Sequence, residues 1–270
     1  MYVARLRYIQ TIHESAEYCN PDTLVRHFIP IRDRLKTAWL RRDELSRLRA
    51  DPFYYYVVAR TKYYDQVISD AVADGVGQIV GIGCGSDTRA YRFNSLLCSK
   101  GVRVLECDQP QAILEKRRMV KSLRPADHIE YLPIDLNDGE WPDFKRWLGQ
   151  RKHAKTLVMM EGVSPYVDQD NFDGFLQLLA TELAPWSQFA YDFKLLRVND
   201  EFGREGRTRK PFRLSNVRQE VADYHQHRGF RLDYMELSSE LTVRLLPSLA
   251  GSAGPLFAED GLIRLTVNPS

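Results

Sequence analysis

The stretch that decides the fold of this 270-residue chain is Gln78-Ile79-Val80-Gly81-Ile82-Gly83-Cys84-Gly85-Ser86-Asp87-Thr88-Arg89. A short apolar run leads into glycines spaced by one residue and then into polar residues, which predicts a strand, a tight turn and a helix N-terminus. Glycines permit a sharp turn and close approach of the backbone to a ligand, and the helix offers unpaired N–H groups. The pattern favours a nucleoside-binding loop over a plain packing turn.

A second strand follows at the spacing that a nucleoside site requires. The segment 102–108 has a strand pattern and ends on Glu106-Cys107-Asp108, about 20 residues after the glycines. An acidic side chain at this position can accept hydrogen bonds from a ribose diol. Asp108, with Glu106 nearby, is therefore a candidate ribose ligand.

Further strands are predicted at 128–134, 155–160, 187–193, 231–235 and 261–267, and helical patterns separate most of them. Strands that alternate with helices indicate βαβ crossovers and a parallel sheet. Acidic residues recur at or just beyond the predicted strand ends, namely Asp87, Asp108, Asp135, Glu161 and Asp192. The sequence thus predicts an active face at the carboxyl ends of the strands.

Helical periodicity dominates the chain before the first strand. Apolar residues recur at three- and four-residue intervals over 2–49, where Asn20 and Pro21 resemble a helix start. Another helix is predicted from Asp51-Pro52 to near Gly75, with tyrosines that suit core packing. Arg60 lies within this apolar helix and needs an anionic partner, for which the residues alone favour an internal salt bridge.

Composition narrows the possible functions. Lys and Arg total 38 against 36 Asp and Glu, so the net charge of +2 gives no electrostatic case for nucleic acid or for an anionic membrane. The basic residues 116–118 are interpreted as a solvated face. The four cysteines, at 19, 84, 98 and 107, lack the spacing of a metal site and are interpreted as buried small hydrophobes in a reducing compartment.

The N-terminal residues carry charges where a signal peptide would be apolar, and no segment is apolar enough to span a bilayer. A cytoplasmic protein is therefore expected.

Several blocks together resemble the leucine carboxyl methyltransferase family, including its bacterial members of uncertain substrate. As a dinucleotide fingerprint, Gly81-x-Gly83-x-x would need a third glycine or alanine where Ser86 stands. The matching blocks run in order over roughly Asp51 to Asp192: Arg60-Thr61, Gly83-x-Gly85 with Asp87-Thr88-Arg89, Glu106 to Pro110, Asp135-Leu136, and Glu161 to Val167.

The resemblance implies a class I methyltransferase: a Rossmann-like α/β fold with a mainly parallel seven-stranded sheet, its last strand antiparallel, and S-adenosylmethionine as methyl donor. One domain over 1–270 is expected, with a helical extension at 1–75, a donor-binding core at 76–193 and a substrate-side segment with the last strands at 194–270. In the family's N-terminal helix a basic residue often precedes a Glu-Ser pair, whereas here Thr11-Ile12-His13 precede Glu14-Ser15, which is a departure from that pattern.

Carried onto this chain, the resemblance gives each block a role. Arg60 binds the donor's carboxylate, which replaces the internal salt bridge as the expected role. Gly83 and Gly85, followed by Asp87, form the floor, and Asp108 with Glu106 holds the ribose. The remaining donor contacts are Asp135 and Leu136 at the adenine and Glu161 at the amino acid end.

The expected reaction is methyl transfer to a carboxylate, giving a methyl ester and S-adenosylhomocysteine. A carboxylate is ionised at neutral pH, so no general base is assigned. The candidate substrate contacts are Tyr166, Tyr191, Arg204 and Arg207, the arginines lying in the irregular basic segment 194–213. That segment is interpreted as a solvated loop or, in a second interpretation, as a lid or docking surface.

The expected partner is a small-molecule or carrier-tethered carboxylic acid, with no nucleic acid and no membrane involved. Methylation of a hydroxyl or of an RNA base is a second hypothesis, which requires a base such as His13, His225 or His227. A third hypothesis is a protein that binds the donor without catalysis. A nicotinamide-dependent oxidoreductase is a fourth, and Ser86 disfavours it.

Overall fold

The computed structural model describes residues 2–123, 126–196, 212–251 and 255–269. An eight-stranded sheet forms the centre. Its strands are β1 (Gln78–Ile82), β2 (Arg103–Asp108), β3 (Ile129–Pro133), β4 (Thr156–Met160), β5 (Gln188–Leu195), β6 (Arg213–Leu214), β7 (Phe230–Leu237) and β8 (Asp260–Val267). The seven predicted strands are confirmed, while the two-residue β6 was not predicted.

The strand order is β3-β2-β1-β4-β5-β8-β7, with β6 beside β5. Strands β1 to β5 pair in parallel, whereas β8 is antiparallel to both of its neighbours. The predicted fold class, a mainly parallel sheet with an antiparallel last strand, is therefore confirmed. Because the chain order reverses between β1 and β4, a ligand crevice is expected at their carboxyl ends.

Eleven α-helices are present in the described residues. They are α1 (Tyr2–His13), α2 (Ile31–Ala38), α3 (Arg42–Ala50), α4 (Pro52–Ala73), α5 (Arg89–Arg92), α6 (Asn94–Ser99), α7 (Pro110–Met119), α8 (Pro142–Gly149), α9 (Gln169–Glu182), α10 (Arg218–Gln226) and α11 (Ser238–Leu245). None of these described helices combines the length and the apolar character needed to cross a bilayer.

Helices cover both faces of the sheet. Phe144 of α8 and Phe175 of α9 belong to the core on one face, and Tyr64 and Val67 of α4 belong to the core on the other. Asp51 begins α4 by accepting a hydrogen bond from the Phe53 amide at 3.0 Å. Four of the five tyrosines in α4 are buried and Tyr55 is partly buried, which confirms their predicted packing role.

The predicted helix start at Asn20 is wrong. Asn20 is fully buried, and its side-chain amide donates to Gln10 at 3.0 Å and to Thr61 at 3.2 Å. Since the side chain joins α1 to α4, it does not cap a helix, and the residues between α1 and α2 contain only short 3-10 turns. A polar residue beside a proline gave the same local signal as a cap.

Two surface interpretations also change. Lys116, taken as part of a solvated face, is 1% exposed, although Arg117 and Arg118 are exposed as predicted. Cys84 and Cys107 are buried as expected, but Cys98 is exposed. Residues 116–118 do not share one face, because consecutive residues on a helix point about 100° apart.

Candidate donor-binding crevice

Two adjoining cavities lie at the carboxyl ends of β1, β2 and β4, and both are lined by Ile82 and Gly83. The first, here called the arginine cavity, has a volume of about 280 Å³ and is lined by Arg7 and Arg60. The second, the Asp108 cavity, has a volume of about 310 Å³. Together they form one crevice at the point where the strand order reverses.

The glycine turn forms the floor between the two cavities. Gly83 has φ +67°, and a Cβ there would collide with the Val163 side chain. The Cys84 amide donates to the Cys107 carbonyl at 2.9 Å, and the Gly85 amide donates to Asp108 Oδ2 at 2.8 Å. The turn is therefore fixed against the end of β2, and glycine is required at position 83.

The arginine cavity presents charges of both signs. Arg7 of α1 donates to Asp22 at 2.7 Å and to the Ser86 carbonyl at 2.9 Å, while its buried Nε has no hydrogen-bond partner among the described residues. Arg60 pairs with Glu161 and Asp192, at 3.0 Å each. The internal salt bridge that the sequence favoured for Arg60 is thus present; its binding of a donor carboxylate stays a prediction.

Arg89 is a central residue that the sequence analysis missed. Its guanidinium pairs with Asp65 at 2.8 Å, with Asp87 at 2.9 Å and with Glu161 at 2.7 Å, and the residue is 2% exposed. A cation this deeply buried needs several carboxylates around it. The Asp-Thr-Arg of the opening stretch was a signal for it, since Asp87 and Arg89 flank the helix start.

These ion pairs set the protonation of the cavity. Burial alone would raise the pKa of Asp87, but Arg89 and Lys116 hold the pKa of that carboxyl below its usual range. Burial also acts to raise the pKa of Glu161, but Arg89 and Arg60 outweigh it, so the pKa is lowered overall. Both carboxylates therefore stay ionised and are weak bases.

Asp192 differs from Asp87 and Glu161 in the direction of its pKa shift. Burial raises the pKa of Asp192 to about 6, although Arg60 opposes the shift. The carboxylate accepts hydrogen bonds from Arg60 at 3.0 Å and from the Gly162 amide at 2.6 Å. It supports Arg60 and the turn after β4 from below the crevice.

The Asp108 cavity is built by loops that follow β2 and β3. Asp108 lies at the end of β2, while Asp135 accepts from the Asn137 amide at 2.9 Å and from the Gln109 side chain at 2.8 Å. Leu136 supplies a buried apolar wall. The structure thus brings Asp108, Asp135 and Leu136 to one cavity, as the family resemblance implied.

Glu106 is not at either cavity. Its carboxylate is 2.6 Å from Lys116 Nζ, and the residue is 3% exposed. Burial raises the pKa of Glu106 to about 7, although Lys116 opposes the shift. Because the side chain points into the core, the geometry does not favour the predicted ribose contact from Glu106.

The predicted substrate contacts have different outcomes. Tyr166 lines the mouth of the Asp108 cavity and is 61% exposed. Tyr191 is corrected: it is fully buried and its hydroxyl is 2.7 Å from His225 Nε2, so it does not reach the crevice. Arg204 and Arg207 lie outside the described residues.

The histidines named as candidate bases do not line the crevice in the described part of the chain. Burial lowers the pKa of His225 to about 4. His13 contacts the Thr37 carbonyl at 2.6 Å, and His227 contacts the Asp223 carbonyl at 2.5 Å. Because all three side chains are bound to other groups of the protein, we interpret them as structural or exposed residues.

A larger groove of about 610 Å³ lies on another face of α1, between Leu6, Trp39 and Leu48. It shares no lining residue with the crevice among the described residues. The crevice, and not this groove, contains the glycine turn and the strand-end carboxylates.

The residues of the crevice fit S-adenosylmethionine. Four carboxylates and two guanidiniums line the described walls, which suits a ligand with a net positive charge. Arg7 and Arg60 can pair with the carboxylate of an amino acid group, and the neighbouring Asp87 and Glu161 can pair with its ammonium. Asp108, one cavity away, is at the strand end where a ribose diol is usually bound.

The doubly wound sheet and this crevice define a class I methyltransferase fold with a nucleoside site. The family model described as leucine carboxyl methyltransferase matches residues 1–180 of the 270. The chain therefore belongs to the leucine carboxyl methyltransferase family.

A relative from Mycolicibacterium paratuberculosis (strain ATCC BAA-968 / K-10) is 30% identical over 192 residues, covering 66% of this chain and 60% of that protein. It carries the provisional description of an S-adenosyl-L-methionine-dependent methyltransferase. The match thus spans about 60% of the length of this relative.

Solved structures share the fold at low identity. A magnesium protoporphyrin IX methyltransferase from Synechocystis PCC 6803 with bound SAM gives a TM-score of 0.50 at 12% identity, covering 78% of this chain and 81% of that one. The (4+2)-cyclase SpnF gives 0.52 at 10% identity, covering 78% and 82%. Since one of these proteins is named as a cyclase, the fold alone does not define the reaction.

Proposed function

We propose that this protein is an S-adenosylmethionine-dependent methyltransferase that methylates a carboxylate and forms a methyl ester. The observation that supports this proposal most is that the carboxylates of the arginine cavity are paired with arginine and stay ionised. Asp87 and Glu161 both bind Arg89 at 2.9 Å and 2.7 Å, and the pKa of each is lowered. Weak bases suit an acceptor that is already deprotonated.

The description of the family model supports the same acceptor chemistry, since it names a carboxyl group. A hydroxyl acceptor would require a base at the crevice. The three histidines considered for that role lie elsewhere among the described residues, and His225 is bound to Tyr191. Alignment of an ionised acceptor is then sufficient for transfer.

When bound, the donor supplies an activated methyl group on a sulfonium, and S-adenosylhomocysteine is the product. In this proposal Arg7 and Arg60 bind the donor's carboxylate, while Asp87 and Glu161 bind its ammonium. Asp108 accepts hydrogen bonds from the ribose hydroxyls. At the far end of the crevice, Asp135 binds the adenine amino group and Leu136 packs on the ring.

The acceptor is proposed to be a small-molecule or carrier-tethered carboxylic acid. Tyr166 is the described candidate for contact with it, because it lies exposed at the mouth of the Asp108 cavity. Its aromatic ring and hydroxyl can contact an apolar body and a polar group together.

The test is incubation of the full chain with methyl-labelled S-adenosylmethionine and a panel of carboxylic acids, free and carrier-bound. Label that is released by mild base indicates an ester and supports the proposal. Base-stable label would overturn carboxyl methylation and indicate a hydroxyl or nucleobase acceptor. Binding of S-adenosylhomocysteine with no transfer to any acceptor in the panel, nor to hydroxyl or RNA acceptors, would indicate a donor-binding protein without catalysis.

A further inference from the structure

Lys116 and Glu106 form a buried pair behind the glycine turn that the proposed chemistry does not use. Lys116 lies on α7 and is 1% exposed, while Glu106 lies on β2 and is 3% exposed. Their charged atoms are 2.6 Å apart. Burying two charges costs several kcal/mol for each ion, so the pair calls for an explanation.

Stability is a poor explanation for this pair. Buried ion pairs are often replaced by apolar residues without loss of stability, and a pair gains most when all its polar atoms are satisfied. The Oε2 atom of Glu106 is buried and has no hydrogen-bond partner among the described residues. The pair is therefore incompletely satisfied and is weak evidence for a stabilising role.

The geometry of Lys116 indicates a different role. Its ammonium also donates to the carbonyl oxygen of Cys84 at 3.1 Å. That carbonyl lies between Gly83 and Gly85 and accepts a second hydrogen bond from the Asp87 amide at 2.7 Å. Lys116 lines neither cavity and thus holds the turn through its backbone.

Other contacts hold the same turn from the end of β2. The Cys84 amide donates to the Cys107 carbonyl, and the Gly85 amide donates to Asp108. Without the lysine, the Cys84 carbonyl would lose its charged donor and the turn could rotate. Because Asp108 is bound to this turn, such a rotation would also move the proposed ribose ligand.

We propose that Lys116 is a positioning residue of the donor site, with Glu106 holding its ammonium under the Cys84 carbonyl. The pair sets the backbone of the turn on which the donor rests, and it acts through that turn without touching the ligand. This role rests on the donor binding of the proposed function and does not depend on which acceptor is methylated.

The test separates donor affinity from stability with two double variants. Glu106→Leu with Lys116→Met removes both charges and the hydrogen bond to Cys84, while Glu106→Gln with Lys116→Gln keeps neutral hydrogen-bonding groups. Urea unfolding reports stability, and calorimetric titration with S-adenosylhomocysteine reports affinity. Lys121→Met is the matched control, because Lys121 is exposed.

The apolar double variant is expected to unfold near the wild-type urea concentration and to bind S-adenosylhomocysteine about tenfold more weakly, the loss of one charge-assisted hydrogen bond. The glutamine double variant is expected to stay within about threefold of wild type. A folded apolar double variant with wild-type affinity would overturn the proposal.

Hydrogen exchange provides a readout that does not require the apolar double variant to fold. In Lys116→Met, which removes the donor to the Cys84 carbonyl, the Asp87 and Gly85 amides are expected to exchange at least about tenfold faster, while amides of β4 keep their rates. Equal rates at the turn in this variant and in wild type would show that Lys116 does not hold it, and would equally overturn the proposal.

Discussion

The two cavities of the crevice are built in different ways. The Asp108 cavity is lined by the strand ends and loops that follow β1 to β4, all within residues 82–167. The arginine cavity gathers side chains from distant elements, and the contact between Arg60 and Asp192 joins residues 132 positions apart. One wall of the crevice is therefore made by successive strand-end loops, whereas the other also needs α1, α4 and a carboxylate of β5.

This difference has an energetic consequence. Ion pairs such as Arg89 with Glu161 lie largely out of solvent, so removing one partner leaves an uncompensated buried charge. Asp135 at the other cavity is partly exposed, and water can replace a lost hydrogen bond there. Changes at the arginine cavity should affect folding, while changes at the Asp108 cavity should affect ligand binding.

The largest effect is expected for Arg89→Met. The substitution leaves Asp65, Asp87 and Glu161 without their common partner, which should lower the free energy of unfolding by about 3–5 kcal/mol. Urea denaturation measures the change, with the exposed Arg42→Met as control. A loss below about 1 kcal/mol would show that this network does not stabilise the fold.

Gly83→Ala should have the second-largest effect, because it changes the floor that both cavities share. The left-handed φ costs about 1–2 kcal/mol for a residue with a Cβ, and the Cβ would collide with Val163 in addition. S-adenosylhomocysteine should bind at least about tenfold more weakly. Gly149→Ala, where a Cβ meets no atom within 4 Å, is the control and should bind normally.

Asp108→Ala should weaken S-adenosylhomocysteine binding by about 1–3 kcal/mol, the cost of losing a charged hydrogen-bond acceptor. Calorimetric titration measures the loss. The free energy of unfolding should fall by less than it does for Arg89→Met. A larger loss of unfolding free energy for Asp108→Ala than for Arg89→Met would contradict the proposed difference between the two cavities.

Acid should remove the stabilisation that Arg89 provides. The pKa values of Asp87 and Glu161 are lowered on folding, so their contribution is present above the usual carboxyl range and is lost as the pH falls through it. The stability difference between wild type and Arg89→Met should therefore narrow between about pH 7 and about pH 3. Unfolding curves at several pH values measure it, and a constant difference would speak against the ion pairs.

Tyr166→Phe should have the smallest effect. The residue is 61% exposed at the mouth of the Asp108 cavity, so loss of its hydroxyl should leave stability and S-adenosylhomocysteine affinity unchanged. Once an acceptor is known, its KM should rise a few-fold, about 1 kcal/mol or less. Tyr2→Phe, exposed away from the crevice, should leave KM unaltered.

Sequence patterns were sufficient for the sheet and for one cavity. Glycines, strand-end acids and the spacing to Asp108 are local signals, because parallel strands bring their carboxyl ends to one edge. Arg7 was missed because a basic residue was expected directly before Glu14-Ser15. Arg7 stands further towards the N-terminus, yet α1 places it at the crevice. Nothing local distinguished buried Lys116 from its exposed neighbours on α7.

By itself, the sequence determined the class of fold, the edge of the sheet that carries the site and the wall made by Asp108, Asp135 and Leu136. Tertiary structure decided the partners of Arg60 and Arg89, the burial of Tyr191, and the direction of Glu106 and Lys116. The physical reason is range: strand and turn patterns act between near neighbours, whereas a buried charge takes its partners from whichever elements the fold brings within about 3 Å.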